Sequence, residues 1–137
     1  MTEPARQPIR VLCVDDQACF IDALRALIAA AAEFITVGAE RCGEDAIGAA
    51  RRLRPDLVLI DVRMPGIGGL EAARTLLEQH SRMLVVLMSA EPELLPAEAA
   101  RSGRLQCVLK ERLTAAALTQ LWRGHEQDLL AKNDPVA

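Results

Sequence analysis

Five polar residues in this sequence could do chemistry together: Asp15, Asp16, Asp61, Ser89 and Lys110. Each follows an apolar run. Ile9 to Val14 leads to Asp15-Asp16, Leu57-Val58-Leu59-Ile60 to Asp61, Met83 to Met88 to Ser89, and Leu105 to Leu109 to Lys110. Short, mostly apolar runs mark strands covered on both faces. Parallel neighbours of this kind share a carboxyl edge, where ligands bind in open α/β sheets. Three carboxylates gathered there repel one another and call for a compensating cation. Mg2+ meets that need, as a hard ion that takes one or two carboxylates with waters and phosphate oxygens. An aspartate so placed can act as a nucleophile towards phosphorus. The Lys110 ammonium and the Ser89 hydroxyl would then stabilise charge on the transferring oxygens.

Taken singly, each residue has a plainer reading. An Asp after a strand is ordinarily a turn or cap residue, and Asp15-Asp16 could simply cap the helix that follows. Lys110 alone would be a solvated lysine, and Ser89 before Ala90-Glu91-Pro92 a helix cap. Those readings leave unexplained why four strand ends carry such groups at one edge. The joint reading is preferred.

The elements that must position these residues alternate along the chain, as βα units on a parallel sheet do. Phe34 to Ala39 reads as a further strand. Helices are expected over Gln17–Ala32, Gly43–Leu53 and Leu70–Gln79, the first with Phe20, Ile21, Leu24, Leu27 and Ile28 at helical spacing. Pro55 ends the second helix, and Met64-Pro65-Gly66-Ile67-Gly68-Gly69 forms a turn-rich loop. Arg51, Arg52 and Arg54 are read as partners of the helix dipole, not as a phosphate-binding patch. Pro92 and Pro96 predict a short or late-starting helix within Glu91–Ser102. Thr114 caps a last helix running through Trp122, and Leu118, Leu121, Trp122, His125 and Leu129 hold helical spacing beyond it. That stripe is read as core, or, if exposed, as a homodimer surface; His125 is expected to be solvated and not a ligand.

The expected fold is α/β, a flavodoxin-like (βα)5 doubly wound parallel sheet of strand order 2-1-3-4-5, whose first and third strands flank the switch point. The 137 residues fit one core, set at 8–124, with 125–137 as a tail or helix extension. Net charge is −3 and aromatics are 2%, which argues against direct nucleic-acid binding. The four cysteines show no CxxC or zinc spacing, and Cys13 and Cys107 read as reduced core residues. Neither a membrane-spanning stretch nor a signal peptide is read, so a cytoplasmic location without membrane contact is expected.

Val11-Leu12-Cys13-Val14-Asp15-Asp16 resembles the first strand and acidic pair of response-regulator receiver domains of two-component signalling. The stretch from Pro55 to Glu71 resembles their phosphorylation-site strand and loop almost throughout, and Ser89-Ala90 and Val108-Leu109-Lys110 match the later motifs. The likeness covers residues 8 to 124 in order. It implies that Asp61 is the phosphoacceptor, served by a sensor histidine kinase or phosphotransfer protein. It implies that Asp16, Asp61 and the backbone carbonyl of Arg63 bind Mg2+, with Asp15 acting mainly through water or hydrogen bonding. Ser89 and Lys110 would hold the phosphoryl oxygens, and phosphorylation would repack the face around the fifth strand for a downstream protein or fused output domain. Departures collect at that face. Cys107 stands where the family has an aromatic, Gly103-Arg104-Leu105-Gln106-Cys107 replaces a glycine-rich run, and Glu111 replaces a proline.

The main expectation is therefore a switch that catalyses its own phosphoryl transfer, rather than an enzyme acting on a separate substrate. Two alternatives stand beside it. One is a phosphorylation-independent interaction module on the same scaffold, motivated by Cys107 and the disturbed fourth helix. The other is the receiver part of a DNA-binding regulator, since Asp-Val-Arg-Met-Pro-Gly and Leu-Lys-Glu resemble regulators with helix-turn-helix output domains. His125 to Ala137 is too short to hold such a reader domain itself.

Overall fold

The computed structural model describes residues 7–97 and 103–133. Five parallel strands, β1 (Ile9–Val14), β2 (Phe34–Glu40), β3 (Leu57–Asp61), β4 (Leu84–Ser89) and β5 (Leu105–Leu109), form one sheet. Their order is β2-β1-β3-β4-β5, the flavodoxin-like arrangement expected. Helices α1 (Ala18–Ala30), α2 (Gly43–Leu53), α3 (Gly68–Gln79) and α4 (Ala115–Asn133) cover its two faces.

Strand alternation divides the core. Leu12, Val14, Val58, Ile60, Val85 and Leu87 face α2 and α3, while Val11, Cys13, Leu57, Leu59, Val86 and Met88 face α1 and α4. The central strands β3 and β4 are buried at every position, so their sequences are unbroken apolar runs instead of alternating ones. Against the first face the helices present small residues, Ala46, Ala49 and Ala50 from α2 and Ala72 and Ala73 from α3, all buried. Their size lets both helices lie close to the sheet. Only two phenylalanines and one tryptophan occur in the chain, so the core is aliphatic.

Register brings the functional edge into line. Val14 pairs with Ile60, Asp61 with Met88, and Ser89 with Leu109, so the chemistry-bearing residues leave the sheet together. The β3–α3 loop turns through two positive-φ glycines, Gly66 at 83° and Gly68 at 77°, a conformation that side-chain-bearing residues resist. Gly69 packs on the end of β3 itself: a Cβ there would lie 2.7 Å from the Cα of Val62.

Some expectations need correction. His125 is buried, not solvated, with Nε2 2.8 Å from the carbonyl of Arg82 and a tilted ring contact to Trp122. α4 continues to Asn133, so His125 lies well inside the helix, where it meets the Arg82 carbonyl just before β4. The arginines of α2 stand where expected, with Arg51 and Arg52 in the last turn of the helix and Arg54 at its C-cap. Arg51 Nε donates to Oε1 of Gln79, and Leu53, at the helix's last position, gives its carbonyl to Nη2 of Arg10 from β1. Directly after β4 the described residues form a 3-10 turn at Pro92–Leu94. The remainder of the helix expected in that stretch falls partly on 98–102, outside the described residues.

Candidate functional site

At the end of β1 the chain turns sharply, and Asp15 is held inside that turn. One carboxylate oxygen, Oδ1, accepts the backbone N–H of Gln17 at 2.9 Å. The other, Oδ2, accepts from Nζ of Lys110 at 2.7 Å, across a sequence separation of 95 residues. Asp15 is fully buried and the Lys110 side chain nearly so, making this a desolvated ion pair. Asp16, one residue on, is fixed through its main chain: its carbonyl accepts from the Arg41 guanidinium, at 2.6 Å for Nη2. That leaves its carboxylate on the cavity side, which it lines with Asp61 and Lys110.

Asp61 closes β3, buried at 6% exposure, with Oδ1 3.7 Å from the Lys110 ammonium. Burial is the main influence on its acidity and pushes its pKa up. Lys110 opposes that rise, Asp15 adds to it, the Arg63 backbone N–H lowers it, and Asp16 raises it slightly further. One oxygen from each of Asp15, Asp16 and Asp61 lies within 4.8 Å of the others, a compact set of hard donors. A cavity of about 400 Å³ opens over them, lined also by Arg63, Ser89 and Glu91.

The structure thus brings Asp16, Asp61, Ser89 and Lys110 to one cavity, with Asp15 buried behind it against Lys110. Ser89 differs in its commitment. Its Oγ donates to the carbonyl of Glu91 and accepts that residue's N–H, both at 2.9 Å, closing a tight turn. Arg63 and Glu91 meet across the mouth at 3.0 Å, an exposed pair.

Three contributors were not legible as site residues. The ring of Phe20, on α1, lies under the Lys110 ammonium, 4.1 Å from Nζ to centroid. Glu44, in the first turn of α2, braces the β3–α3 loop: its carboxylate occupies the space beside Gly66 and accepts weakly from Ile67 N–H at 3.5 Å. Gly69 permits the close approach of α3. Helical spacing flagged Phe20 only as core, and nothing local to Glu44 announces a partner 23 residues away.

A doubly wound sheet with an acidic cluster and a lysine at its switch point defines a receiver-type signalling scaffold. Residues 11–122 match the response regulator receiver domain family, and the chain belongs to it. It is 44% identical over 81 residues to response regulator GacA of Pseudomonas aeruginosa, covering 59% of this chain and 38% of that protein. It is 36% identical over 117 residues to protein-glutamate methylesterase/protein-glutamine glutaminase 5 of Myxococcus xanthus, covering 84% of this chain and 33% of that one. Among solved structures it resembles the response regulator domain of CheB from Thermotoga maritima, with a TM-score of 0.72 and 26% identity over 87% of this chain and 97% of that one. The chain therefore spans well under half the length of these curated relatives. It is a receiver domain of the two-component response-regulator type, a signalling switch.

Proposed function

We propose that Asp61 accepts a phosphoryl group from a histidine kinase or phosphotransfer protein, with Mg2+ held at the acidic cluster. The observation that carries this reading is the convergence of Asp15, Asp16 and Asp61 within 4.8 Å, opposite the Lys110 ammonium. All-oxygen donors in a charged cluster suit a hard divalent cation. Asp16 and Asp61, with the carbonyl of Arg63, would hold it, while Asp15 acts through water and its bond to Lys110. Bound there, Mg2+ supplies positive charge to the carboxylates and to phosphoryl oxygens.

In the transfer, one Asp61 carboxylate oxygen forms a bond to phosphorus. The phosphorus–nitrogen bond to the donor's imidazole breaks, and its electron pair leaves with the nitrogen. Lys110 meets the growing negative charge on the phosphoryl oxygens, where a pre-placed cation needs little reorganisation. Ser89 can donate to those oxygens only by releasing the Glu91 carbonyl, so phosphorylation competes with that turn for one hydroxyl proton. Such competition gives two states of the β4 loop that phosphate biases, which is the physical content of a switch.

The receiver unit is placed at 8–124, with 125–137 as an extension of α4 or a tail. Partners that fit are the phosphodonor protein and a downstream protein or fused output domain, the latter supported by the greater length of the relatives. A homodimer through the stripe Leu118, Leu121, Trp122, His125 and Leu129 depends on its exposure. With Leu118 and His125 buried and Leu121 and Trp122 packed on the core, the stripe favours the core reading. Direct nucleic-acid binding by this chain finds no support in its net charge of −3. No helix among the described residues is long and apolar enough to cross a membrane, which accords with a cytoplasmic location.

Amide chemical shifts with Mg2+ and beryllofluoride test this reading. Changes centred on Asp16, Asp61, Ser89 and Lys110 are expected. An unperturbed spectrum would favour the phosphorylation-independent interaction module, for which Cys107, half-buried on β5 in place of an aromatic, is the motive.

A further inference from the structure

We infer that Phe20 is a positioning residue for the phosphoryl-transfer site, holding the Lys110 ammonium by a cation–π contact from α1. The inference rests on the role proposed for Lys110. Nζ of Lys110 lies 4.1 Å from the centroid of the Phe20 ring, within the range at which a cation is attracted to the ring's negative face. Its other neighbours are the carboxylates of Asp15 at 2.7 Å and Asp61 at 3.7 Å. The Lys110 side chain is 14% exposed, so the ring acts on a largely desolvated charge, where such contacts are strongest.

Geometry explains why a ring is suited to the place. A hydrogen-bonding partner on that side would fix the ammonium in one direction. An aromatic face attracts it without a preferred in-plane direction. Lys110 can therefore pivot from Asp15 towards phosphoryl oxygens on Asp61 while staying over the ring. Phe20 is itself half-buried and packed against the core shared by α1 and α4, so its ring is not free to follow another partner.

The test compares Phe20→Leu and Phe20→Tyr in the full chain. The first keeps apolar bulk and loses the ring; the second keeps the ring. Without magnesium or phosphodonor, the ε-methylene protons of Lys110 should show a ring-current upfield shift in the native protein and in F20Y, and lose it in F20L. With Mg2+ and acetyl phosphate, F20L should be phosphorylated about fivefold more slowly, with F20Y near the native rate. In a Lys110→Met background, F20L should have no further effect. Two results would overturn the inference: an unchanged Lys110 shift in F20L, or an equal rate loss from F20L whether or not Lys110 is present. If the native chain takes no phosphate, the proposed function fails instead, and the Lys110 resonances still decide whether Phe20 positions it.

Discussion

Gly69→Ala should damage stability and phosphorylation together, and the size of both effects follows from one close approach. A Cβ on Gly69 would sit 2.7 Å from the Cα of Val62 and 2.8 Å from the carbonyl carbon of Asp61, where ordinary contact begins at 3.4 Å. The obstacle is backbone, which cannot rotate away as a side-chain tip can. The first turn of α3 and the end of β3 must therefore separate by considerably more than about 0.7 Å, since the Asp61 carbonyl oxygen lies nearer still to the added Cβ. Gly69 also donates its N–H to the carbonyl of Val62 at 3.1 Å, a bond that the separation stretches. Overpacking of this kind costs ~1–3 kcal/mol. For a domain of this size that corresponds to a fall in melting temperature of roughly 3–12 °C. Because the displaced strand end carries Asp61, the site is misplaced by a comparable distance, and misplacement near 1 Å can cost about a hundredfold in rate. Thermal unfolding followed by circular dichroism, beside phosphorylation by acetyl phosphate, checks both. A variant with native melting temperature and native rate would refute the packing argument.

Further outcomes follow from the same contacts. Asp61→Asn should stabilise the metal-free protein at neutral pH. Burial raises the folded-state pKa of Asp61, so its carboxylate form opposes folding once pH exceeds the unfolded value, and removing the charge relieves this. Calorimetry with and without Mg2+ would show it, and magnesium should raise the melting temperature less in the variant. Lys110→Met leaves the fully buried Asp15 carboxylate with, among the described residues, the Gln17 N–H alone as hydrogen-bond partner, a loss of roughly 3–5 kcal/mol for a broken buried pair. Adding Asp15→Asn should recover part of it in urea titrations. His125 has a lowered pKa, chiefly from burial, partly offset by its contact with the Arg82 carbonyl. The unfolded chain then takes up a proton first as pH falls below 6.5, so stability declines on acidification, and His125→Gln should flatten that slope. Burial pushes the Cys13 thiol up to about 12, so alkylation should reach exposed Cys19 in the native state and Cys13 only on unfolding, as mass spectrometry would report.

The sheet was legible in the sequence because β3 and β4 are buried at every position, so the apolar runs stop where the strands stop. The placement of Asp15, Asp16, Asp61 and Lys110 followed from the same stops, since parallel strands share an edge. What escaped was pairing across distance. No local pattern shows that Lys110 reaches Asp15 rather than solvent, or that Phe20 turns its ring to that lysine instead of only filling core. Ser89 was readable as a hydroxyl at the right edge, but its capture by the Glu91 backbone depends on the turn formed after β4. His125 was misjudged although it fell on the apolar stripe, because a polar ring was read as solvated and its partner, the Arg82 carbonyl, lies 43 residues away.

Intact mass after incubation with acetyl phosphate and Mg2+, run beside Asp61→Asn, addresses the phosphoacceptor most directly. One phosphoryl group should appear on the native chain, depend on magnesium, and be absent from the variant. Equal labelling of the variant, or labelling indifferent to magnesium, would contradict the role given to the acidic cluster.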